Sequence, residues 1–332
     1  MTKRQRVTAA LRHKQPDLCP WSLSFTRGAQ EKMVAYTGDP DFVAKIGNHV
    51  GGFSPRLPHV EVEPGIWADE WGARWDRTVD ADIGTLVGHV FPEPRLGDWT
   101  PPDPHDPRRW ATVAADLAAQ GDQFLVMSVG FSLFERAWTL RGMENLFMDM
   151  VENPGFVDDL FDALCERNIA MVQEARRFDL DGVQFGDDWG QQQGMLMGPR
   201  LWRRFIRPRL ERMYAAVHDA GRFVLIHSCG NITEVLPDLI EIGLDCFNPF
   251  QPEVMDVYAV KRGFGDRLSF FGGVSTQRLL PYGTPAQVKA EAHRLMTEIG
   301  RGGGYILAPA HAIPRDAPPE NLVALIEAVN EQ

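Results

Sequence analysis

The chain reads as one (β/α)8 barrel domain over residues 1–332, on three observations. Short apolar runs rich in β-branched residues alternate with stretches of helical spacing along the sequence. Eight such runs can be placed, the number a closed barrel needs. The polar residues able to do chemistry stand just after the runs, where a barrel gathers its active site, while the runs themselves are apolar. A doubly wound open sheet is the runner-up. No G-x-G-x-x-G follows the first run, which counts against it.

The elements follow in order. Residues 2–13 predict a helical extension with Val7, Ala10 and Leu11 on one side. Residues 19–25 predict the first strand, 28–46 a helical region and 51–54 the second strand. Residues 58–78, rich in Trp, Gly and acids, predict a hairpin-like excursion, and the Pro-rich stretch 91–107 a surface connection. A helix over about 108–119 leads to the strand 124–129, then helices over 133–150 and 154–178. Strands at 182–185, 223–226, 245–248, 268–271 and 305–308 are each followed by a helical segment, the last over 319–331. Gly302-Gly303-Gly304 precedes a strand, so it predicts a tight helix-to-strand turn, not a phosphate loop.

Composition excludes several classes. The 332 residues carry a formal net charge of −11, and the basic residues are scattered, so no nucleic-acid footprint is present. No apolar stretch is long enough to span a bilayer, and the first residues lack the apolar core of a signal peptide. These features predict a cytoplasmic protein. Four cysteines, Cys19, Cys165, Cys229 and Cys246, are too sparse for a disulfide scaffold. Three of them fall in core or helical positions.

Cys229 differs. The run Phe223 to Ile226 ends abruptly in His227-Ser228-Cys229-Gly230. Positions i and i+2 of an extended chain face the same way, so His227 and Cys229 can present an imidazole and a thiolate to one point. That pair suits zinc first among divalent cations; the competing reading is a buried His and a small apolar Cys. His311, in a Pro-bounded loop after the last strand, supplies a third ligand and leaves one position open, the catalytic form of zinc coordination. After the strand 182–185 come Asp187 and Asp188, which would face opposite ways. They read either as catalytic acids that orient a ligand or carry a proton, or as a helix N-cap and its neighbour. Arg27 either receives a carboxylate or caps a loop. Phe25, Phe131 and Trp189, with the Trp67–Trp75 segment, offer an apolar wall, and Gln251 and Glu253 stand after the strand 245–248. Asp69 and Glu70 line a pocket or stiffen the excursion.

These residues carry a family resemblance over nearly the whole chain. Gly186-Asp187-Asp188-Trp189-Gly190, Phe205-Ile206-Arg207-Pro208-Arg209 and His227-Ser228-Cys229-Gly230-Asn231 resemble the uroporphyrinogen decarboxylase superfamily, in the branch of the corrinoid-dependent methyltransferases. So do Asn248-Pro249-Phe250-Gln251-Pro252-Glu253, Phe271-Gly272-Gly273-Val274 and the segment from Gly304 to His311. The resemblance implies a (β/α)8 barrel and a homodimer. The true decarboxylases carry an Arg-rich segment after their first strand. Here that place reads Ser24-Phe25-Thr26-Arg27-Gly28-Ala29, and one guanidinium cannot answer a tetrapyrrole with eight acid groups.

The methylcobalamin:coenzyme M methyltransferases bind zinc through a His-x-Cys pair and a distant Cys. His227 and Cys229 match the pair, and His311 stands where the distant Cys would be. One thiolate and two imidazoles leave zinc at about +1 by ligand charge, a stronger Lewis acid than the two-thiolate site. The resemblance therefore implies a zinc-dependent methyltransferase moving a methyl group from a small donor, such as a methoxyaromatic, to a corrinoid protein. No D-x-H-x-x-G motif occurs, so the corrinoid (cobalamin) arrives on a partner. The alternatives are a decarboxylase-like lyase using Arg27 as its clamp, and a non-catalytic metal- or ligand-binding barrel.

Overall fold

The computed structural model describes residues 1–79 and 84–332. Among them, seven strands form one curled parallel sheet: β1 (Val50–Phe53), β2 (Phe124–Val129), β3 (Gly182–Gly186), β4 (Phe223–His227), β5 (Cys246–Phe250), β6 (Ser269–Val274) and β7 (Tyr305–Pro309). Each neighbours the next in sequence order. Helices connect them and cover the outside, as parallel crossovers require.

The eighth stave is the stretch expected as a strand over 19–25, and here the expectation needs correcting. It pairs with β7 only at Trp21↔Leu307, and at Phe25↔Ile313 just beyond that strand. The reason is local. Pro20 has no N–H to give. On the β1 side, side chains replace the ladder: Asn48 bonds both backbone groups of Leu23, through Oδ1 at 2.8 Å and Nδ2 at 3.0 Å. His49 Nδ1 accepts from the Trp21 N–H at 3.2 Å, while the His49 N–H donates to Trp21 O at 2.8 Å. At this seam the barrel is closed by one backbone bond and by the side chains of Ser22, Asn48 and His49.

Strand alternation sorts the interior. Phe124 and Val126 of β2, Leu225 of β4, Cys246 of β5 and Ile306 of β7 form an apolar floor with Val7 and Leu11 of the first helix, Lys3–Leu11. Two residues further along the same strands stand Ser128, His227, Asn248 and Ala308, all lining one mouth cavity. The residues between them, such as Met127, Ile226 and Phe247, point out into the helix layer and are buried there.

Several expected helices are broken, among them the two that follow. The 28–46 region becomes Arg27–Thr37 and Phe42–Lys45, ended by left-handed Gly38. The 133–150 region splits at Gly142 into Phe134–Arg141 and Met143–Glu152. The excursion is larger than a hairpin: among the described residues, Val60–Glu63, Ile66–Ala68, Arg74–Asp76 and Thr85–Leu86 make a four-stranded antiparallel sheet.

Candidate metal centre at the barrel mouth

The mouth is a cavity of about 530 Å³ at the C-terminal ends of the strands. His227, Cys229 and His311 meet there, with one donor atom from each within 4.8 Å of the others. His227 Nε2 and Cys229 Sγ are 3.4 Å apart. Donors around a tetrahedral zinc lie about 3.4–3.7 Å apart by its bond lengths, so the pair fits and His311 needs only a small approach.

The surroundings favour a cation. His227 Nδ1 lies 2.6 Å from Asn248 Oδ1, whose Nδ2 donates to Phe271 O at 2.9 Å. The Asn248 amide is thereby turned so that Oδ1 accepts, which puts the imidazole proton on Nδ1 and leaves Nε2 a bare lone pair facing the thiol. Burial pushes the Cys229 thiol up, and Asp188 and Glu135 push it further. The His311 imidazole is shifted down, by burial and then by His227. A divalent cation would pull the Cys229 thiol back down and would suit a His311 already held neutral, and this donor set therefore fits zinc.

Cys229 is held in place from both sides. Its N–H donates to Asp188 Oδ1 at 2.8 Å. Gly230 follows at φ 84°, and a Cβ there would meet the Gly190 carbonyl carbon at 2.3 Å. Only glycine permits that close crossing of two backbones.

The two aspartates part company. Asp188 lines the mouth. Asp187 is fully buried and accepts from the N–H groups of Leu133, Phe134 and Glu135 at 2.8–3.2 Å and from the Trp189 indole at 2.6 Å. It caps the Phe134–Arg141 helix from another part of the chain. Burial pushes its carboxyl up and the donors pull it back, leaving it at about 6. Its role in this structure is to anchor a helix, not to face the mouth.

Of the residues expected to bind substrate, the structure brings Phe131 to the mouth and leaves the others outside its lining. Phe25 packs on Phe42, since Ser24 takes the inward side. Trp189 is fully buried against Trp202. Arg27 is exposed and paired with Glu31 on its own helix. Gln251 accepts from the Gly230 N–H at 3.2 Å, and Glu253 holds Ser275 and the Gln277 N–H.

The sequence reading missed Glu135, Asn248 and Arg56, which all line the mouth. Burial, then Asp188 and Asp187, push the Glu135 carboxyl up to about 9. Asn248 stands in the middle of β5, two residues beyond Cys246 and at the end of the strand expected from sequence, and the i+2 rule that found Cys229 would have found it. Glu135 lies six residues beyond β2, in the first turn of a helix, and no local spacing marks it.

A model of the family described as Uroporphyrinogen decarboxylase (URO-D) matches residues 98–332. The chain belongs to that family. It is 30% identical over 136 residues to the methylcobamide:CoM methyltransferase MtaA of Methanosarcina barkeri, a match covering 41% of this chain and 38% of that protein. It is 24% identical over 273 residues to the uroporphyrinogen decarboxylase of Chlorobaculum parvum, covering 77% of this chain and 68% of that one. A solved methyltransferase from Methanosarcina mazei superposes with a TM-score of 0.75 at 20% identity, covering 100% of this chain and 99% of its own, a likeness of fold. The family and the fold thus agree with the resemblance read from the motifs.

Proposed function

We propose that the protein is a zinc-dependent methyltransferase that passes a methyl group from a small methylated donor, such as a methoxyaromatic, to a corrinoid carried by a separate protein. The observation that carries the reading is the meeting of His227, Cys229 and His311 at the mouth, with Asn248 turning His227 toward the other two. The similarity to a methylcobamide:CoM methyltransferase supports it. A homodimer is the expected assembly.

Bound at these three residues, zinc supplies Lewis acidity toward the heteroatom that bears the methyl group. The chain's own groups do the rest. Asn248 holds His227 in the tautomer with Nε2 free. Phe131 forms an apolar part of the cavity wall. Glu135 holds a proton on its carboxyl, available to the leaving oxygen or nitrogen as the methyl departs to cobalt. Asp188, beside it, holds the Cys229 loop through its N–H and keeps that proton in place by its charge.

The test compares wild type, Cys229→Ser and His311→Ala for zinc per chain, melting temperature and methyl transfer to a cob(I)alamin acceptor. Wild type should hold one zinc and lose activity, not fold, on chelation. Full zinc in both variants would remove the three residues from the mechanism. Undiminished turnover of a carboxylic acid after chelation would favour the lyase.

A further inference from the structure

The excursion encloses a second cavity, of about 260 Å³, lined in part by Arg56, His59, Trp75, Arg77, Phe131 and Arg136. Arg56 and Phe131 line the mouth as well, so the two spaces adjoin. Phe131 stands at the junction with a positive φ of 51°, an uncommon backbone for a bulky residue. Its ring lies 6.1 Å from that of Trp75, nearly parallel.

The charge around this annex is unusual for so acidic a chain. Five guanidiniums, Arg56, Arg77, Arg109, Arg136 and Arg167, gather about two buried carboxyl side chains. Glu70 is taken by Arg109 and by Arg167, the latter at 3.7 Å. Asp69 is taken by Arg136 at 2.8 Å and by the N–H groups of Trp71 and Ala73. Among the described residues, no carboxylate lies within ion-pair distance of Arg56 or Arg77. Arg56 Nε donates to Ser54 Oγ at 3.0 Å, and Arg77 Nη2 meets His59 Nδ1 at 2.8 Å. His59 is shifted down by burial and then by Arg77; Asp69 opposes the shift, and Arg56 and Arg136 add to it, so these charged groups converge on one small volume. Asp69 and Glu70 line the cavity too but are engaged by the inner arginines, so among the described residues the outer two, Arg56 and Arg77, face it without a carboxylate partner.

We propose that the annex is an anion subsite, and that the substrate of the mouth is an aromatic ring bearing a carboxylate that reaches Arg56 and Arg77. The planar fork of a guanidinium matches a carboxylate in two parallel hydrogen bonds, and the aromatic wall suits the ring that carries it. For the other end of the molecule, the methyl-bearing heteroatom, the proposal rests on the methyl-transfer reading.

The experiment measures binding by calorimetry, without turnover, on the zinc-loaded full chain. The probes are 4-methoxybenzoate, the neutral 4-methoxybenzamide and 4-methoxybenzenesulfonate. Wild type should bind the benzoate roughly ten- to a hundredfold more tightly than the amide. Arg56→Met and Arg77→Met should each cut that ratio about tenfold and leave the amide unchanged; Arg56 is exposed, so its variant should fold. His311→Ala should keep the ratio. Several results overturn the subsite: no benzoate binding at millimolar concentration, a ratio near one in wild type, or a ratio that survives both Arg substitutions. A ratio lost in His311→Ala would place the anion on the metal instead, and a preference for the sulfonate would overturn the carboxylate. Tight, Arg-dependent benzoate binding with no methyl transfer to cobalamin would keep the subsite and sink the methyl-transfer reading.

Discussion

A single amide decides how His227 is used. Asn248 Oδ1 accepts from Nδ1, and the Asn248 Nδ2–H is spent on Phe271 O. Orienting partners of this kind are typically worth ten- to a hundredfold in metal affinity. Asn248→Ala should therefore weaken zinc binding by roughly that factor, read by competition with a chromophoric chelator, with the fold intact. An unchanged affinity would mean that His227 is not a ligand or needs no support. Glu135→Gln removes the titrating proton and keeps the shape. If Glu135 protonates the leaving group, the variant should lose about 10²–10⁴ in turnover with a poor leaving group and much less with an activated one. Equal losses with both donors would make Glu135 a structural acid.

At the level of elements, Asp187 ties β3 to the helix after β2. Three consecutive helix-start N–H groups and one indole N–H converge on its carboxylate. Replacing it with Ala would leave these buried donors unpaired and should cost about 3 kcal/mol of stability by denaturant titration. Activity measured well below the melting point should fall as well, because Glu135 begins in the same turn. A variant of full stability would show that the helix start finds other acceptors. The excursion illustrates the same scale differently. Its Asp69 and Glu70 stiffen it through Arg136, Arg109 and Arg167, and the same residues line its cavity, so the two readings open in the sequence are both met.

The whole barrel depends on the seam that His49 closes. Its side chain is buried, and burial followed by Arg6 lowers its pKa from 6.5 to about 4. The folded state thus binds fewer protons than the unfolded chain between those values, and stability rises with pH there. The contribution is complete above about pH 6.5 and is lost as pH falls toward 4, up to about 3 kcal/mol. Wild type should lose melting temperature more steeply than His49→Gln over that range. Parallel pH profiles for the two proteins would show that His49 is not the titrating group. Among the described residues no helix is long and apolar enough to cross a membrane, in line with the scattered polarity of the sequence.

Much of this was legible without coordinates. Alternating apolar runs and helical spacings carried the barrel, since a strand buried on both faces must read as a continuous apolar run. The pairing of His227 with Cys229 follows from the period of an extended chain, and it needs no neighbour to define it. Other features depend on groups far apart in sequence. Asp187 was an acid next to an acid until the helix 52–54 residues away was seen to start on it. Arg27 follows a strand-like segment, yet it opens a helix on the outside, because Thr26 caps that helix and ends the extended run before it. Local periodicity records which way a side chain faces relative to its own backbone. Charge balance, hydrogen-bond partners and cavity walls are set by chain segments brought together only on folding, and so Glu135, Asn248 and the arginines of the annex gained their chemistry there.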